Sequence, residues 1–230
     1  MMKSVLVPIN PAGWPFIGIF AGIGLLLWWA GDFLGIVGVV LTLWCVYFFR
    51  DPERVTPTRE GLIISPADGV VQTIDMAVPP LELDMGEEER PRVCVFMNVF
   101  NVHVNRAPMD GIIRKIAYRP GKFFNASLDK ASVHNERESY LMETDSGATI
   151  AFVQIAGLVA RRIVCQVQEG QPLEAGQRIG LIRFGSRVDV YLPKGAVPLV
   201  VEGQTAIAGE TIIGDMKAKK SEKRRDGRIA

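Results

Sequence analysis

Leu181-Ile182-Arg183-Phe184-Gly185-Ser186-Arg187-Val188-Asp189-Val190-Tyr191 reads as two short strand-like runs joined at a Gly-Ser step. After Ser186 apolar and polar residues alternate, the period-2 pattern of a strand with one buried face. Before Phe184, Arg178–Ile182 is a second strand candidate. At the step itself, glycine leaves the preceding carbonyl unshielded and conformationally free. A serine hydroxyl beside such a carbonyl is placed to attack it, which would cut the chain and make Ser186 a new N-terminus.

A repeat flanks this stretch. Glu169-Gly170-Gln171, Ala175-Gly176 and Ile179-Gly180 precede it; Glu202-Gly203-Gln204, Ala208-Gly209 and Ile212-Ile213-Gly214 follow it. The copies keep an offset of 33 residues until a one-residue insertion near their end. Glycines suit tight turns and isoleucines suit short strands facing a core. Such turn-strand units resemble the two halves of a barrel-sandwich hybrid, the architecture of lipoyl and biotinyl carriers. Ser65-Pro66-Ala67-Asp68-Gly69-Val70-Val71 resembles its opening strand and turn.

Further strand candidates are Gly69–Ile74, Arg92–Asn98, Gly111–Tyr118, Tyr140–Thr144, Thr149–Gln154, Ile163–Val167, Arg187–Tyr191 and Val197–Val201. None has the length of an ordinary helix. A mostly β domain is expected over residues 55–216.

The N-terminal part differs in kind. From Ala12 to Phe49 the only acidic or basic side chain is Asp32, and all four tryptophans fall in this run. It explains why mean hydropathy is positive, at +0.19. Two 17-residue apolar segments, Trp14–Ala30 and Phe33–Phe49, flank Gly31-Asp32. At about 1.5 Å per residue each is at the short end of what crosses a hydrocarbon core of roughly 30 Å. The expectation is a hydrophobic helical hairpin within residues 1–54 that spans a bilayer or dips into it.

Lys3 before the hairpin, and Arg50 and Arg54 after it, put both ends on the cytoplasmic face of the cell (inner) membrane. The competing structural reading is a buried core hairpin. A cleaved signal peptide fits poorly, because no small-residue cleavage site ends the first apolar run and a second one follows. Arg50-Asp51-Pro52-Glu53-Arg54 then breaks the helix.

The 230 residues carry a formal net charge of +1, which gives no bias toward nucleic acid. Cys45, Cys94 and Cys165 are odd in number and outside any C-x-x-C pattern, so they read as inert thiols rather than a metal or disulfide framework. The tail over 217–230 is basic and poor in apolar residues, the composition of a disordered segment. It is either simply solvated or drawn to anionic lipid headgroups.

Two histidines limit acid-base chemistry near neutral pH. His103 ends an apolar strand-like run in Asn98-Val99-Phe100-Asn101-Val102-His103-Val104-Asn105-Arg106-Ala107-Pro108. His134 lies in a polar stretch that reads as a surface loop. Asp68 occupies a Pro-Ala-Asp-Gly turn, where aspartate is common for local reasons. Asp68, His103 and Ser186 would together make an oriented base and a nucleophile, although spacing does not bring them together.

The order of these elements resembles the phosphatidylserine decarboxylase proenzymes of the short (archaeal-type, prokaryotic type II) subfamily. The resemblance runs through Tyr47-Phe48-Phe49-Arg50-Asp51-Pro52, Ser65-Pro66-Ala67-Asp68-Gly69, the His103 segment to Pro108, Pro120-Gly121 and Phe184-Gly185-Ser186. It implies autocatalytic serinolysis between Gly185 and Ser186 and a heterodimer of a β chain, 1–185, with an α chain, 186–230. Ser186 would become a covalent pyruvoyl group that forms a Schiff base with phosphatidylserine in the membrane. Asp68 and His103 would assist, with no metal.

Two departures from the longer enzymes stand out. Those have Leu-Gly-Ser-Thr at the cut, where this chain has Phe184-Gly185-Ser186-Arg187. They also carry a second histidine where Arg106 stands, so His103 would serve both cleavage and turnover. Arg106 and Lys122 are candidates for the substrate phosphate, and Phe123 and Phe124 for dipping into the interface.

Two other functions compete. A membrane-anchored serine hydrolase using Asp68, His103 and Ser186 would need an accessible serine, and no Gly-x-Ser-x-Gly elbow is present. A non-enzymatic lipoyl-like adaptor would need a lysine between the half-repeats, where Phe184-Gly185-Ser186-Arg187 stands.

Overall fold

The computed structural model of the chain describes residues 7–122, 134–157, 162–183 and 185–218. It forms two compact units, one of Met1–Glu53 with Phe100–Val102, the other of Arg54–Val99 with His103–Ala230. The fold is mostly β with a helical pair at the N-terminus, the class expected from the sequence.

In the first unit, α1 (Trp14–Ala30) and α2 (Asp32–Phe48) pack against each other on either side of Gly31. Both helix lengths match the apolar segments, with α2 starting and ending one residue early. The helices meet at Gly24 and Gly38, where a Cβ on Gly38 would stand 2.4 Å from the Gly24 Cα. Small residues let helix backbones approach closely where no hydrophobic drive from water assists them. Trp29, Phe33 and Leu25 point outward and are largely exposed. The segment Pro11–Ala30 is long and apolar enough to cross a membrane; Asp32–Phe48 is shorter. The open ends of the pair are tied by an Ile9–Arg50 bridge, by Asn10 N–H to the Phe49 carbonyl at 2.8 Å and by Asp51 N–H to the Pro8 carbonyl at 2.7 Å.

The second unit begins with β1 (Leu62–Ile64), β2 (Gly69–Ala77), β3 (Arg90–Met97), β4 (Val104–Arg106) and β5 (Gly111–Arg119). It continues through β6 (Arg137–Glu143), β7 (Thr149–Ala156), β8 (Ile163–Cys165), β9 (Pro172–Leu173) and β10 (Arg178–Ile182). The last strands are β11 (Ser186–Tyr191), β12 (Val197–Pro198), β13 (Thr205–Ala206) and β14 (Ile212–Asp215). Eight of them form one sheet in the order β13-β2-β3-β11-β7-β6-β5-β9, and two three-stranded sheets, β1-β14-β12 and β4-β10-β8, complete the unit.

The sheet order explains the repeat. Its two copies supply β9 and β13, which close opposite edges of the large sheet. Each copy docks on its half through the same bonds. Gly170 N–H donates to the Ile113 carbonyl as Gly203 N–H does to Val71, and Ile116 N–H reaches Glu169 as Ile74 N–H reaches Glu202. Gly176 N–H donates to the Ala107 carbonyl as Gly209 N–H does to Ser65. The partners differ by a constant 42 residues, so a second repeat, Pro66-Ala67-Asp68-Gly69 against Pro108-Met109-Asp110-Gly111, accompanies the first. Gly170, Gly176, Gly203 and Gly209 all have φ near +80°, a region that glycine enters without penalty.

Strand β11 sits at the middle of this arrangement, paired antiparallel to β3 and β7 along its whole length. Its alternate residues Val188 and Val190 join Val95, Phe152 and Ile150 in the main core. The opposite face packs Tyr191 with Leu83, Val153 and Ile155. On that face Arg187 and Asp189 are buried as an ion pair, Nε to Oδ1 at 2.7 Å.

Candidate active site

The Gly185-Ser186 step lies at the entrance to the central strand. Gly185 has φ +70°, the left-handed region that L side chains avoid. Apart from its chain neighbours, no atom of the described residues comes within 4 Å of where its Cβ would be, and the positive φ itself calls for glycine. One residue later the chain enters the double ladder, with Ser186 opposite Met97 on one side and Ala156 on the other.

Among the described residues, three polar contacts hold the step. The amide of Gly185 donates to His103 Nε2 at 3.2 Å. The carbonyl of Gly185 accepts from the amide of Gly157 at 2.9 Å. The hydroxyl of Ser186 donates to Met97 Sδ at 3.3 Å. Because Nε2 accepts, the proton of a neutral His103 is on Nδ1. A thioether is a weak acceptor, so the serine proton is not tightly committed.

His103 and Ser186 are both buried. The His103 segment is fixed to the strand before the step, since Ile182 N–H donates to the His103 carbonyl at 3.2 Å. Of the residues expected from the sequence, His103 therefore contacts Gly185 through its amide, while the hydroxyl of the neighbouring Ser186 is turned to Met97.

Two sets of Asp68 contacts bear on its role. Its Oδ1 accepts from Ala208 N–H at 2.7 Å, and Asp110 makes the equivalent bond to Ala175 at 2.7 Å in the other half. That bond belongs to the turn. The second set is particular to Asp68: both its oxygens accept from Arg54 Nη2, at 3.0 and 2.8 Å. The turn is joined to the strand after His103 by Arg106 N–H to the Pro66 carbonyl at 3.0 Å.

Arg106 is buried and donates from Nη1 to the Gly176 carbonyl at 2.8 Å, a tie from β4 to the turn between β9 and β10. Lys122 and His134 are exposed, and Lys122 bridges to Asn135. Phe123 and Phe124, and the tail from residue 219, lie outside the described residues. The one described tail cation with a carboxylate partner, Lys217, pairs with Glu60 at 2.6 Å. Burial pushes the Cys94 thiol up, in keeping with an inert cysteine. Among the described residues no three metal-ligating side chains converge.

Gly157 and Met97 escaped sequence reasoning. A glycine after a strand and a methionine within one carry no distinguishing spacing; only the register across β3, β11 and β7 brings them to residues 185 and 186.

Comparison with known proteins bears directly on this step. The family model described as phosphatidylserine decarboxylase matches residues 41–214, which include Asp68, His103, Gly185 and Ser186. The chain belongs to the phosphatidylserine decarboxylase family. It is accordingly an enzyme chain. A phosphatidylserine decarboxylase proenzyme of Paramagnetospirillum magneticum is 60% identical over 229 residues, covering 100% of this chain and 95% of that one. The proenzyme of Cereibacter sphaeroides is 58% identical over 227 residues, 99% and 97% of the two chains. That of Ruegeria pomeroyi is 60% identical over 217 residues, 94% and 99%.

Proposed function

We propose that the chain is a self-processing decarboxylase that converts phosphatidylserine to phosphatidylethanolamine and CO2. The observation that carries the reading is the grip on Gly185, whose N–H donates to His103 and whose carbonyl, that of the Gly185–Ser186 peptide, accepts from Gly157.

Self-processing begins when Ser186 Oγ bonds to the Gly185 carbonyl carbon and its proton passes to His103 Nε2. Negative charge then develops on the Gly185 oxygen, where the Gly157 N–H already points. A donor preorganised for that charge is worth about 10²–10³ in rate. The Gly185–Ser186 C–N bond breaks, the nitrogen takes a proton, and an ester joins the two pieces. Loss of the Ser186 Cα proton and cleavage of its Cβ–Oγ bond release the Gly185 carboxylate. Water then replaces nitrogen on residue 186 as ammonia leaves.

Residue 186 fits this fate. Its backbone is paired on both sides, so the new terminus stays between β3 and β7, and its side chain faces the core rather than solvent. The resulting pyruvoyl ketone supplies an acceptor for the substrate amine and for the electron pair that departing CO2 leaves behind. His103 supplies the proton that takes the place of the carboxylate. Asp68, braced by Arg54, fixes the turn whose Pro66 carbonyl anchors the strand that begins right after His103.

In this reading residues 1–54 anchor the enzyme at the cytoplasmic face of the cell membrane. Residues 55–216 are catalytic, and the basic tail adds attraction to anionic lipid. Held there, the enzyme meets the headgroup without extracting the lipid. The test is release of labelled CO2 from phosphatidylserine carrying the label in the serine carboxyl. The purified chain is expected to release it and Ser186→Ala to release none; equal release by both would overturn the assignment.

A further inference from the structure

A line of buried amides runs through the core to the cleavage step. Tyr140 Oη donates to Gln154 Oε1 at 2.7 Å, and Gln154 Nε2 donates to Asn105 Oδ1 at 2.7 Å. Asn105 Nδ2 donates in turn to the Pro66 carbonyl at 3.2 Å and to Met97 Sδ at 3.7 Å. Met97 Sδ is also the acceptor for the Ser186 hydroxyl. Tyr140, Gln154, Asn105, Met97 and Ser186 all have 0% exposure.

The direction of this line is fixed from the Pro66 end. The Pro66 carbonyl is an acceptor only, so the Asn105 atom facing it must be the NH2 group. Asn105 then turns Oδ1 toward Gln154, Gln154 must offer Nε2, and its Oε1 must face a donor, which the Tyr140 hydroxyl provides. A flip of either amide would set acceptor against acceptor in a dry core, at the cost of unpaired buried polar groups. Five elements are joined by it: the Asp68 turn, β4 behind His103, β3 at Met97, β7 and β6. Apolar groups of the same shape in place of hydrogen-bonded partners are commonly near neutral for stability, so stability is a weak account of the line.

We propose that Tyr140, Gln154 and Asn105 are positioning residues for self-processing: their one-way hydrogen-bond line holds the donor end of Asn105 toward Met97, and thereby sets where Ser186 Oγ and the Asp68 turn stand relative to His103. The proposal rests on the processing reaction above. None of the three touches the bond that breaks; they act through Met97, Pro66 and the strand after His103.

Reversing the polarity without changing the shape tests it. In Gln154→Glu an ionised carboxylate no longer donates to Asn105 Oδ1, so the line runs the wrong way. A protonated carboxyl restores a donor toward Asn105 and an acceptor toward Tyr140. The titratable groups acting on Tyr140 are Glu138, on the same strand, and Cys165 on β8; His103 and Asp68 lie at the Asn105 end. Glu138 also stands directly opposite residue 154 across β6 and β7, so the rate ratio of variant to full-length wild type reads the coupled titration of these two carboxyls, with the other groups common to both proteins.

The full chain would be pulse-translated with lipid vesicles, shifted to buffers of different pH, and precursor loss followed on denaturing gels. Gln154→Glu is expected to cleave about tenfold or more slowly than wild type near about pH 8 and within about twofold near about pH 5.5. Tyr140→Phe, which keeps the ring stacked on Phe152, should show a deficit of about tenfold that does not change with pH. A Gln154→Glu deficit independent of pH, or wild-type rates in both variants, would overturn the proposal. Absence of cleavage in the wild type would instead sink the processing reaction itself.

Discussion

The amide of Gly157 donates to the carbonyl oxygen of Gly185 at 2.9 Å. The donor thus stands where charge appears when the Ser186 hydroxyl attacks. Gly157→Pro, which lacks the N–H, should slow precursor cleavage by about 10²–10³. Gly157→Ala keeps the donor and should cleave far faster than the proline variant. Cleavage time courses of the two variants, read as the 25.3 kDa precursor disappears, provide the check.

His103 Nε2 faces the same step from the amide side. His103→Gln keeps an acceptor for the Gly185 N–H but has no group that takes a proton near neutral pH. Cleavage should fall by about 10²-fold or more, with the circular dichroism of the β-rich unit unchanged. Wild-type cleavage in that variant would remove the base from the scheme.

At Gly185 the penalty of substitution is conformational. With φ at +70° and no described residue beyond its chain neighbours crowding the position, Gly185→Ala should fold and yet cleave more slowly, the left-handed backbone costing about 1–2 kcal/mol. Gly185→Asn should fall between alanine and wild type, because asparagine tolerates that region better. The order of the three rates is the measurement.

Acid should loosen the β unit. Burial raises the Asp215 carboxyl, but bonding to Arg59 and to the Lys217 amide outweighs it and the net shift is downward. For Glu82 burial likewise acts upward and is outweighed by Arg137 and Ser139. A carboxylate lowered in the folded state binds fewer protons there than when unfolded. Its stabilisation is therefore present above the ordinary carboxylate range and is lost as pH falls through the folded value. Melting temperature should drop below about pH 4, and less steeply in Asp215→Asn, which starts from lower stability at neutral pH.

How far the sequence carries differs by element. The helical pair was legible nearly to the residue because an apolar run broken by Gly31-Asp32 has few other solutions in water or lipid. Long strands such as β3, β5 and β7 were legible from their branched residues, although β6 begins at Arg137, three residues before the expected Tyr140. The strands β1, β4, β9, β13 and β14 span two to four residues each, too few for a period to register. The repeat around Glu169 and Glu202 foretold matching turns, but its partner around Asp68 and Asp110 shares little more than Pro-x-Asp-Gly and emerges only from matching hydrogen bonds.

The site divides the same way. Ser186, Gly185 and His103 are chemical types that stand out in a chain with two histidines. Gly157, Met97, Asn105 and Gln154 are ordinary residues made special by strand register, which no single sequence states. Asp68 was legible as a residue but not as the partner of Arg54, since that pair joins the linker to the turn.

Cleavage should leave the two pieces joined, because residues 186–191 are paired along their length with β3 and β7. Both chains are expected to co-elute under native conditions and to part only in denaturant.

Intact mass of the purified full-length protein in denaturant tests the central claim most directly. Self-processing predicts two chains, residues 1–185 and 186–230, the smaller one without a free α-amino group. A single uncut chain of 25.3 kDa retaining Ser186 would contradict it.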